Sequence, residues 1–315
     1  MKTVALAMTD RDEGIDEAEA ISAFMRGYSI EATRPTADDI AALAGIVPAG
    51  TSIYISAVPG QRADETVEHA TRLRKSGFEP VPHLAVRAFA SADEIDRLLG
   101  RLSAEAGVRQ VLVIAGDRDP PAGPLRGALD VVDSGLLQRH GIREVGIAGY
   151  PEGHPRIPEH RLDRALADKI AAAEATGLRL HIVTQFCFDA EAIIGWILRL
   201  RAFGFDTPVR VGLAGPTSLS TLVRYASRCG VSASIQGLAR HAVLMRQLFA
   251  MSAPDAIVRR LAAEREHATH QHLGDVKAHL FSFGGVVRTA RWASAAELGH
   301  IVIEAGEGFR VEPAG

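Results

Sequence analysis

Eight short apolar runs, separated by longer amphipathic stretches, set the strongest limit on how this chain can fold. The runs occupy residues 28–33, 52–57, 79–86, 110–116, 144–150, 180–186, 209–215 and 276–283. Most are apolar at nearly every position, as expected of strands covered on both faces. Strands that alternate with helices imply a parallel sheet, and eight such units favour a closed barrel over an open doubly wound sheet. The sequence therefore predicts an α/β fold, a (β/α)8 TIM barrel.

The stretches between the runs have helical periodicity. Clear examples are residues 63–76, 92–106 and 159–176. Ser91 stands where an N-cap would precede the second of these helices. Further helical patterns lie between the seventh and eighth strands, at 217–228, 236–250 and 254–270. We therefore expect extra helices after strand seven.

The last thirty residues have a less regular pattern. Residues 294–304 predict a helix capped by Ser294. No repeat, low-complexity tract or Pro/Gly linker divides the chain. We expect a single catalytic domain over residues 1–315, without a regulatory domain.

Charge and composition argue against several classes of protein. The net charge is −3 with the histidines neutral, which is unlike the basic footprint of a nucleic-acid-binding protein. No run approaches the roughly 20 apolar residues of a membrane span. The charged residues 10–13 end the first apolar run too early for a signal peptide. We expect a cytoplasmic protein with no nucleic-acid or membrane partner.

A metal site is not expected from the cysteines and histidines. Cys187 and Cys229 are the only cysteines, too few for a disulfide framework or a Cys-rich zinc site. His267, His270 and His272 are close in sequence. On a helix the first two would share a face and the third would point elsewhere, so a solvated helix face is the favoured interpretation.

Polar residues within or just after the predicted strands mark a candidate site. They are Glu31, Ser56, His83, Asp117, Tyr150, Glu152, His154, Gln185 and His279. In TIM barrels the active site lies at the carboxyl ends of the strands. We therefore expect these side chains at the mouth of the barrel.

Glu31 is the most unusual of these residues because its flanks have the pattern of a central strand. A carboxylate in such a place belongs either to a structural salt bridge or to catalysis, and the sequence leaves both open. Burial should raise its pKa, which would suit a proton donor near neutral pH.

The other positions also allow two interpretations. Asp117 follows Gly116 and either caps the next segment or serves the site. The segment 150–155 is either a plain turn or a rigid loop that presents Tyr150 and His154. Gln185 either bonds to the backbone or contacts a ligand.

Five short motifs, in order along the chain, resemble those of the methylenetetrahydrofolate reductase family. They are S-I-E at 29–31, P-H-L at 82–84, G-D at 116–117 followed by P-P-A-G at 120–123, G-Y-P-E-G-H-P at 149–155, and T-Q-F-C-F-D at 184–189. The resemblance spans roughly residues 28–283. It implies a TIM barrel that binds FAD non-covalently and interconverts methylene- and methyltetrahydrofolate by hydride transfer at the flavin.

The resemblance also implies roles for individual residues. Glu31 would be the general acid, Asp117 would contact the pterin and lie near the flavin, and Gln185 would contact the folate. The implied cofactor-binding residues are Ser56, His83, Ile114, Ala115, Gly116, Asp117, Tyr150, His154, Asp163 and Lys169.

Two departures from the family pattern affect the cofactors. Ala115 stands where the family usually has Arg or Thr, so a phosphate contact is lost. The segment 213–219 lacks the aromatic residue expected over a nicotinamide. We therefore expect weak or absent turnover with NADH and NADPH, and the physiological reaction could run in the oxidative direction.

Two other functions fit the same residues. One is a flavin-independent, folate-binding methyltransferase-type barrel, and the other is a non-catalytic folate carrier. Glu31 argues against the carrier, because binding alone does not need a buried acid. We also expect the chain to form a homo-oligomer.

Overall fold

Eight parallel strands close into a barrel in the computed structural model, which describes residues 16–228, 251–267 and 272–312. In chain order, β1 to β8 are Ser29–Ala32, Ser52–Ile55, Glu79–Ala85, Gln110–Ile114, Glu144–Gly149, Arg179–Thr184, Val209–Ala214 and Val276–Phe281. Each strand pairs with its neighbours in sequence, and β1 pairs with both β2 and β8. All eight predicted strands and the TIM-barrel fold are confirmed.

Helices cover the outside of the barrel. In chain order, α1 to α11 are Glu17–Met25, Ala37–Ala44, Ala63–Lys75, Ala92–Ala106, Ala128–Val132, Leu136–Arg139, Glu159–Ala175, Ala190–Ala202, Leu219–Arg228, Asp255–His267 and Val286–Glu297. A 3-10 turn, Val86–Ala88, follows β3. Ser91 caps α4 as predicted, because its hydroxyl accepts a hydrogen bond from the Glu94 backbone N–H at 3.4 Å.

The expected helices after strand seven are present in the described part of the chain. Both α9 and α10 fall within segments predicted to be helical. Thr217–Ser218, at the start of the first predicted segment, is instead a short strand paired antiparallel with Met251–Ser252. The predicted helix over 236–250 lies outside the described residues.

The predicted helix over 294–304 is wrong. The helix here is α11, which begins at Val286 and contains Ser294 near its end. Its inner face buries Ala290 and Trp292, and the Trp292 ring stacks on Phe309 with 5.7 Å between centroids. Ile301–Ile303 forms a strand antiparallel to Phe309–Val311. The helix therefore starts earlier than predicted because its apolar face has to pack against the barrel and this hairpin.

The strands separate two layers of apolar side chains. Alternate strand residues such as Ile30, Ile53 and Leu84 belong to one large core shared with the helices. The intervening residues point into the barrel, where Tyr54, Val81, Leu112 and Val183 form a small separate cluster. Burying each large aliphatic side chain contributes roughly 1.5–3 kcal/mol. Many more of these side chains belong to the core between strands and helices than to the cluster inside the barrel. Most of the hydrophobic stabilisation therefore lies outside the barrel wall. The inner face can therefore hold polar groups.

No helix in the described residues has both the length and the apolar character needed to cross a membrane. The expectation of a single domain over residues 1–315 stays a prediction.

Candidate active site

A hydrogen-bonded layer lies inside the barrel near the amino ends of the strands. The Gln110 side-chain amide donates to the Tyr54 hydroxyl at 3.2 Å, and that hydroxyl lies 2.8 Å from His181 Nε2. His181 Nδ1 lies 3.1 Å from Glu144 Oε1. Burial lowers the pKa of His181, so a neutral ring that accepts from Tyr54 and points its Nδ1–H at Glu144 fits the geometry. This layer closes the barrel below the predicted site.

Gly146 makes room for this layer. A Cβ on Gly146 would lie 2.7 Å from His181 Nε2 and 2.9 Å from Leu112 Cδ1. Both distances are shorter than carbon side chains tolerate without movement of their neighbours. The missing side chain therefore lets His181 cross the barrel toward Tyr54.

Glu31 lies one layer higher and points into the barrel. Ser56 donates a hydrogen bond to Glu31 Oε1 at 2.6 Å. The Thr33 hydroxyl lies 2.9 Å from the Ser56 hydroxyl. The Glu31 side chain is only 12% exposed, so its geometry is set by these neighbours and by two histidines.

His83 and His279 approach the other carboxylate oxygen. Each Nε2 lies 3.6 Å from Glu31 Oε2. The Nδ1 atom of His279 lies 2.8 Å from the Ser29 hydroxyl, and its ring packs edge-on against Tyr54 with 4.6 Å between centroids. The structure thus brings together Glu31, Ser56 and His83, which were predicted, with His279, to which no role was assigned.

The expected direction of the Glu31 pKa is wrong. Burial is the largest single influence and does raise this pKa, but the two histidines and the Ser56 hydrogen bond together outweigh it. The pKa of Glu31 therefore lies below its ordinary value. The sequence revealed the burial of the carboxyl group, but it did not reveal the polar partners on three other strands.

A cavity of about 290 Å³ opens at the carboxyl ends of β4 and β5. Five of the predicted cofactor-binding residues line it: Ile114, Ala115, Tyr150, Asp163 and Lys169. Arg87, Arg126, Arg161 and Trp196 also line it, and none of these four was predicted. The cavity therefore combines apolar and aromatic surface with four cationic side chains and three carboxylates, those of Glu159, Asp163 and Asp168.

Lys169 is the most informative cation of this cavity. Burial lowers its pKa from 10.5 to about 8. Among the described residues no carboxylate forms an ion pair with it, nor with Arg87, Arg126 or Arg161. An anionic group in the cavity would compensate these charges.

Asp117 and His154 lie beside the cavity rather than in its lining. The His154 ring packs edge-on against Tyr150 with 5.4 Å between centroids. Burial, followed by the charge of Asp117, raises the pKa of Tyr150. Burial also lowers the pKa of His154. The two predicted residues therefore support Tyr150 from the edge of the cavity.

Gly116 and Gln185 have clear backbone roles. Gly116 has a φ of +80°, and a Cβ there would lie 3.0 Å from Ala85 Cβ, so a larger residue would be strained. The Gln185 backbone N–H donates to the Gly149 carbonyl at 2.9 Å. Its side chain is half-buried at the end of β6, and the predicted folate contact stays a prediction.

An aromatic cluster lies at the other side of the mouth and was not predicted. Phe186 is buried between Phe281 and Phe283, with 5.5 and 5.3 Å between ring centroids. Tyr225, from the helix after β7, reaches Phe283 at 4.8 Å. The structure therefore supplies aromatic rings near the ends of β6 and β8, outside the 213–219 segment.

The described residues contain no group of three or more His, Cys, Asp or Glu side chains that could hold a metal ion. The side chains of His267 and His270, and all of Cys229, lie outside this description. Cys187 is buried, and burial raises the pKa of its thiol.

Comparisons with known proteins agree with this architecture. A profile described as methylenetetrahydrofolate reductase matches residues 32–281. The chain is 28% identical over 191 residues to 5,10-methylenetetrahydrofolate reductase from Pectobacterium carotovorum subsp. carotovorum, covering 60% of this chain and 61% of that protein. The chain is also 27% identical over 191 residues to 5,10-methylenetetrahydrofolate reductase from Salmonella typhimurium (strain LT2). That alignment covers 60% of this chain and 62% of that protein.

A plant relative is matched over a smaller share of its length. Methylenetetrahydrofolate reductase (NADH) 1 from Arabidopsis thaliana is 27% identical over 189 residues, which cover 54% of this chain and 31% of that protein. The alignments to the two bacterial relatives span about three fifths of the length of those proteins.

Fold and site together define a (β/α)8-barrel protein with a buried carboxyl group and a cation-lined cavity at the carboxyl ends of its strands. The matched profile covers seven of the eight strands completely and reaches only the last residue of β1. The chain belongs to the methylenetetrahydrofolate reductase family.

Proposed function

We propose that this protein is an FAD-dependent oxidoreductase that interconverts 5,10-methylenetetrahydrofolate and 5-methyltetrahydrofolate. The observation that carries the proposal is the buried carboxyl group of Glu31, held inside a barrel whose β4 and β5 frame a cation-lined cavity at their carboxyl ends. Folate chemistry of this kind needs a proton exchanged at a nitrogen and a place for a flavin, and these two features would provide them.

The cavity suits a flavin dinucleotide. Ile114, Ala115 and Tyr150 offer apolar and aromatic surface for a flat ring. Arg126, Arg161 and Lys169 offer positive charge for a diphosphate. These cations would supply the phosphate contact that Ala115 lacks. When bound, FAD would accept or donate the hydride.

Glu31 would exchange a proton with the bridging nitrogen of the folate. Opening of the methylene bridge requires protonation of that nitrogen, and a positioned acid typically accelerates such a step by about 10²–10⁴. Opening leaves a positive iminium on the substrate. Asp117, exposed at the mouth, would stabilise this charge electrostatically. Gln185 would orient the pterin.

The same site supports a proposal for the electron partner and the direction of the reaction. The 213–219 segment has no aromatic ring of its own, which supports weak use of nicotinamide cofactors, although a relative in Arabidopsis thaliana carries NADH in its name. We propose that methyltetrahydrofolate reduces the flavin efficiently and that NADH does not. The cytoplasmic location and the homo-oligomeric state stay predictions.

Absorption spectroscopy tests the proposal. The purified protein is reconstituted with FAD, freed of excess flavin, and mixed anaerobically with methyltetrahydrofolate, NADH or NADPH. We expect a bound flavin spectrum that bleaches rapidly with methyltetrahydrofolate and slowly or not at all with either nucleotide. Failure to retain any flavin would exclude the proposed reaction. Rapid bleaching by micromolar NADH or NADPH would overturn the proposed electron partner only.

A further inference from the structure

Arg87 contacts the loop between β4 and α5 at three places. This loop consists of residues 115–127. The Arg87 backbone N–H donates to the Ala115 carbonyl at 2.9 Å, and the Arg87 carbonyl accepts from the Ala122 N–H at 2.9 Å. The side-chain Nε of Arg87 donates to the Arg126 carbonyl at 2.8 Å. A single residue after β3 therefore holds the beginning, the middle and the end of the loop.

The 115–127 loop also packs closely on the segment that follows Arg87. A Cβ on Gly123 would overlap the Ala90 carbonyl group and lie 2.9 Å from the Phe89 carbonyl oxygen. The loop backbone reaches this segment because residue 123 has no side chain. The loop is thus held against the β3 side of the barrel mouth by its own backbone and by the Arg87 side chain.

The guanidinium group of Arg87 has hydrogen-bonding capacity left for a ligand. Arg87 lines the cavity at the carboxyl ends of β4 and β5. A guanidinium group has several N–H donors, and in the described part of the chain only Nε of Arg87 makes a side-chain hydrogen bond. The described residues provide no carboxylate that forms an ion pair with it. A partly buried cation without a counter-charge is unfavourable, and an anionic ligand removes this cost.

The carboxylates of the cavity do not compensate its positive charge. Glu159 forms an ion pair with Arg199 at 3.4 Å, and Asp168 forms one with Arg164 at 3.1 Å. Of the three carboxylates in the lining, only Asp163 lacks an ion-pair partner among the described residues, against four cations that also lack one. This excess of positive charge favours a ligand with more than one negative charge, such as a diphosphate.

We propose that Arg87 couples the binding of a phosphate group in the cavity to the order of the 115–127 loop. This role rests on the proposed function, in which the phosphate group belongs to FAD. The terminal nitrogens of Arg87 bind the phosphate while Nε keeps its hydrogen bond to the Arg126 carbonyl. One guanidinium group serves both partners because its donors form a rigid planar fork. Arg87 is therefore a positioning residue for the loop.

The coupling has a consequence for the folate side of the site. Asp117 belongs to the 115–127 loop and has the proposed role of stabilising the iminium of the substrate. A ligand that orders the loop also orders Asp117, so the dinucleotide prepares the site for folate. The coupling is reciprocal, since a loop that is already ordered binds the phosphate more tightly. Riboflavin has no phosphate and does not produce this effect.

Hydrogen exchange of the flavin-free protein tests the coupling without any turnover. Peptides that span residues 115–127 are followed by mass spectrometry in the protein alone and with FAD, riboflavin or inorganic pyrophosphate. We expect FAD and pyrophosphate to slow exchange in this loop and riboflavin to leave it unchanged. In Arg87→Met, neither phosphate-bearing ligand should slow exchange there, because the group that joins the ligand to the loop is missing.

Flavin affinity provides the second measurement. Arg87→Met should weaken FAD binding by about tenfold or more, as expected for lost charged hydrogen bonds, and leave riboflavin affinity unchanged. Arg87→Lys keeps the charge without the planar fork, so it should bind FAD more tightly than Arg87→Met. Arg288 provides the matched control, because its Nε donates to the Pro216 carbonyl at 2.8 Å on the β7 and β8 side of the mouth. Arg288→Met should change neither flavin affinity nor exchange in the 115–127 loop.

Several outcomes would overturn the coupling. They are loop exchange in the wild type that neither FAD nor pyrophosphate slows, unchanged FAD affinity in Arg87→Met, and an Arg87→Lys variant that binds FAD no better than Arg87→Met. Equal losses of FAD and riboflavin affinity in a folded Arg87→Met would also overturn it, because Arg87 would then only support the loop. If the wild type retained no flavin, the proposed reaction would fail. Slowing of loop exchange by pyrophosphate, and its loss in Arg87→Met, would still support the coupling.

Discussion

Replacement of Lys169 by methionine should stabilise the flavin-free protein while weakening flavin binding. Lys169 is half-buried in the cavity wall, and no described carboxylate forms an ion pair with it. The fall of its pKa from 10.5 to about 8 corresponds to about 2–3 kcal/mol, at 1.36 kcal/mol per pKa unit and after allowance for solvent screening. Methionine has a similar shape and no charge, so its burial avoids this cost.

The sign of the effect depends on pH. Below about pH 8 the lysine is protonated in both the folded and the unfolded chain, and the folded state carries the full cost of the buried charge. Between about pH 8 and 10.5 the folded protein releases this proton before the unfolded chain does, so wild-type stability rises relative to that of the variant. The difference between the two proteins should therefore be largest at neutral pH and nearly absent above pH 10.5.

Urea unfolding of the flavin-free proteins measures this difference. At pH 7, Lys169→Met should have a higher midpoint with an unchanged slope. The exposed Lys75, at the end of α3, provides the control, because Lys75→Met should change stability by less than about 0.5 kcal/mol. Equal or lower stability of Lys169→Met at pH 7, in a folded protein, would refute the reasoning. The same variant should bind FAD more weakly because one cation of the cavity is lost.

Further predictions concern the two halves of the site and the layer beneath it. Glu31→Gln should retain FAD but lose about 10²–10⁴ in the rate of folate turnover, measured with the melting temperature on the same sample; near-normal turnover would remove Glu31 from the mechanism. The double change Arg126→Ala and Arg161→Ala should weaken FAD by about tenfold or more, as expected for lost charged hydrogen bonds, and leave riboflavin affinity unchanged; equal losses for both flavins would argue against a phosphate role. Gly146→Ala should destabilise the fold by about 1–3 kcal/mol through overpacking, and unfolding midpoints equal to wild type would show that His181 can move aside.

The order of strands and helices could be predicted because it depends on local periodicity. Runs such as 209–215 are apolar enough to identify buried strands. The helix predicted over 294–304 was wrong for a different reason. The start of α11 follows Gly284 and Gly285, which in the sequence look like a loop, and its apolar face is recognisable only beside the Phe309 strand that it covers. The position of this helix is therefore set by packing between segments that are distant in sequence.

The members of the site could be predicted only in part. Glu31 and His83 stand out as polar residues in apolar strands, but the sequence does not show that His83 and His279 approach the same oxygen of the Glu31 carboxylate. The alternation of polar and apolar residues along a strand could have indicated which side chains point into the barrel. Tyr54 on β2 and Ser56 just after it alternate with core residues, and the same alternation places polar residues inward on other strands. The arginines of the cavity lie in three separate segments, so only the fold brings them together.

The hydrogen-bonded floor made by Tyr54, His181 and their partners has a consequence for isotopic labelling. Both side chains are almost fully enclosed, so in the described part of the chain they separate Glu31 from water on the side away from the mouth. If a folate covers the mouth, a deuteron on the carboxyl group of Glu31 would have no bulk water beside it with which to exchange. Label carried by the enzyme into a single turnover would then pass to the folate nitrogen before it is diluted by the solvent.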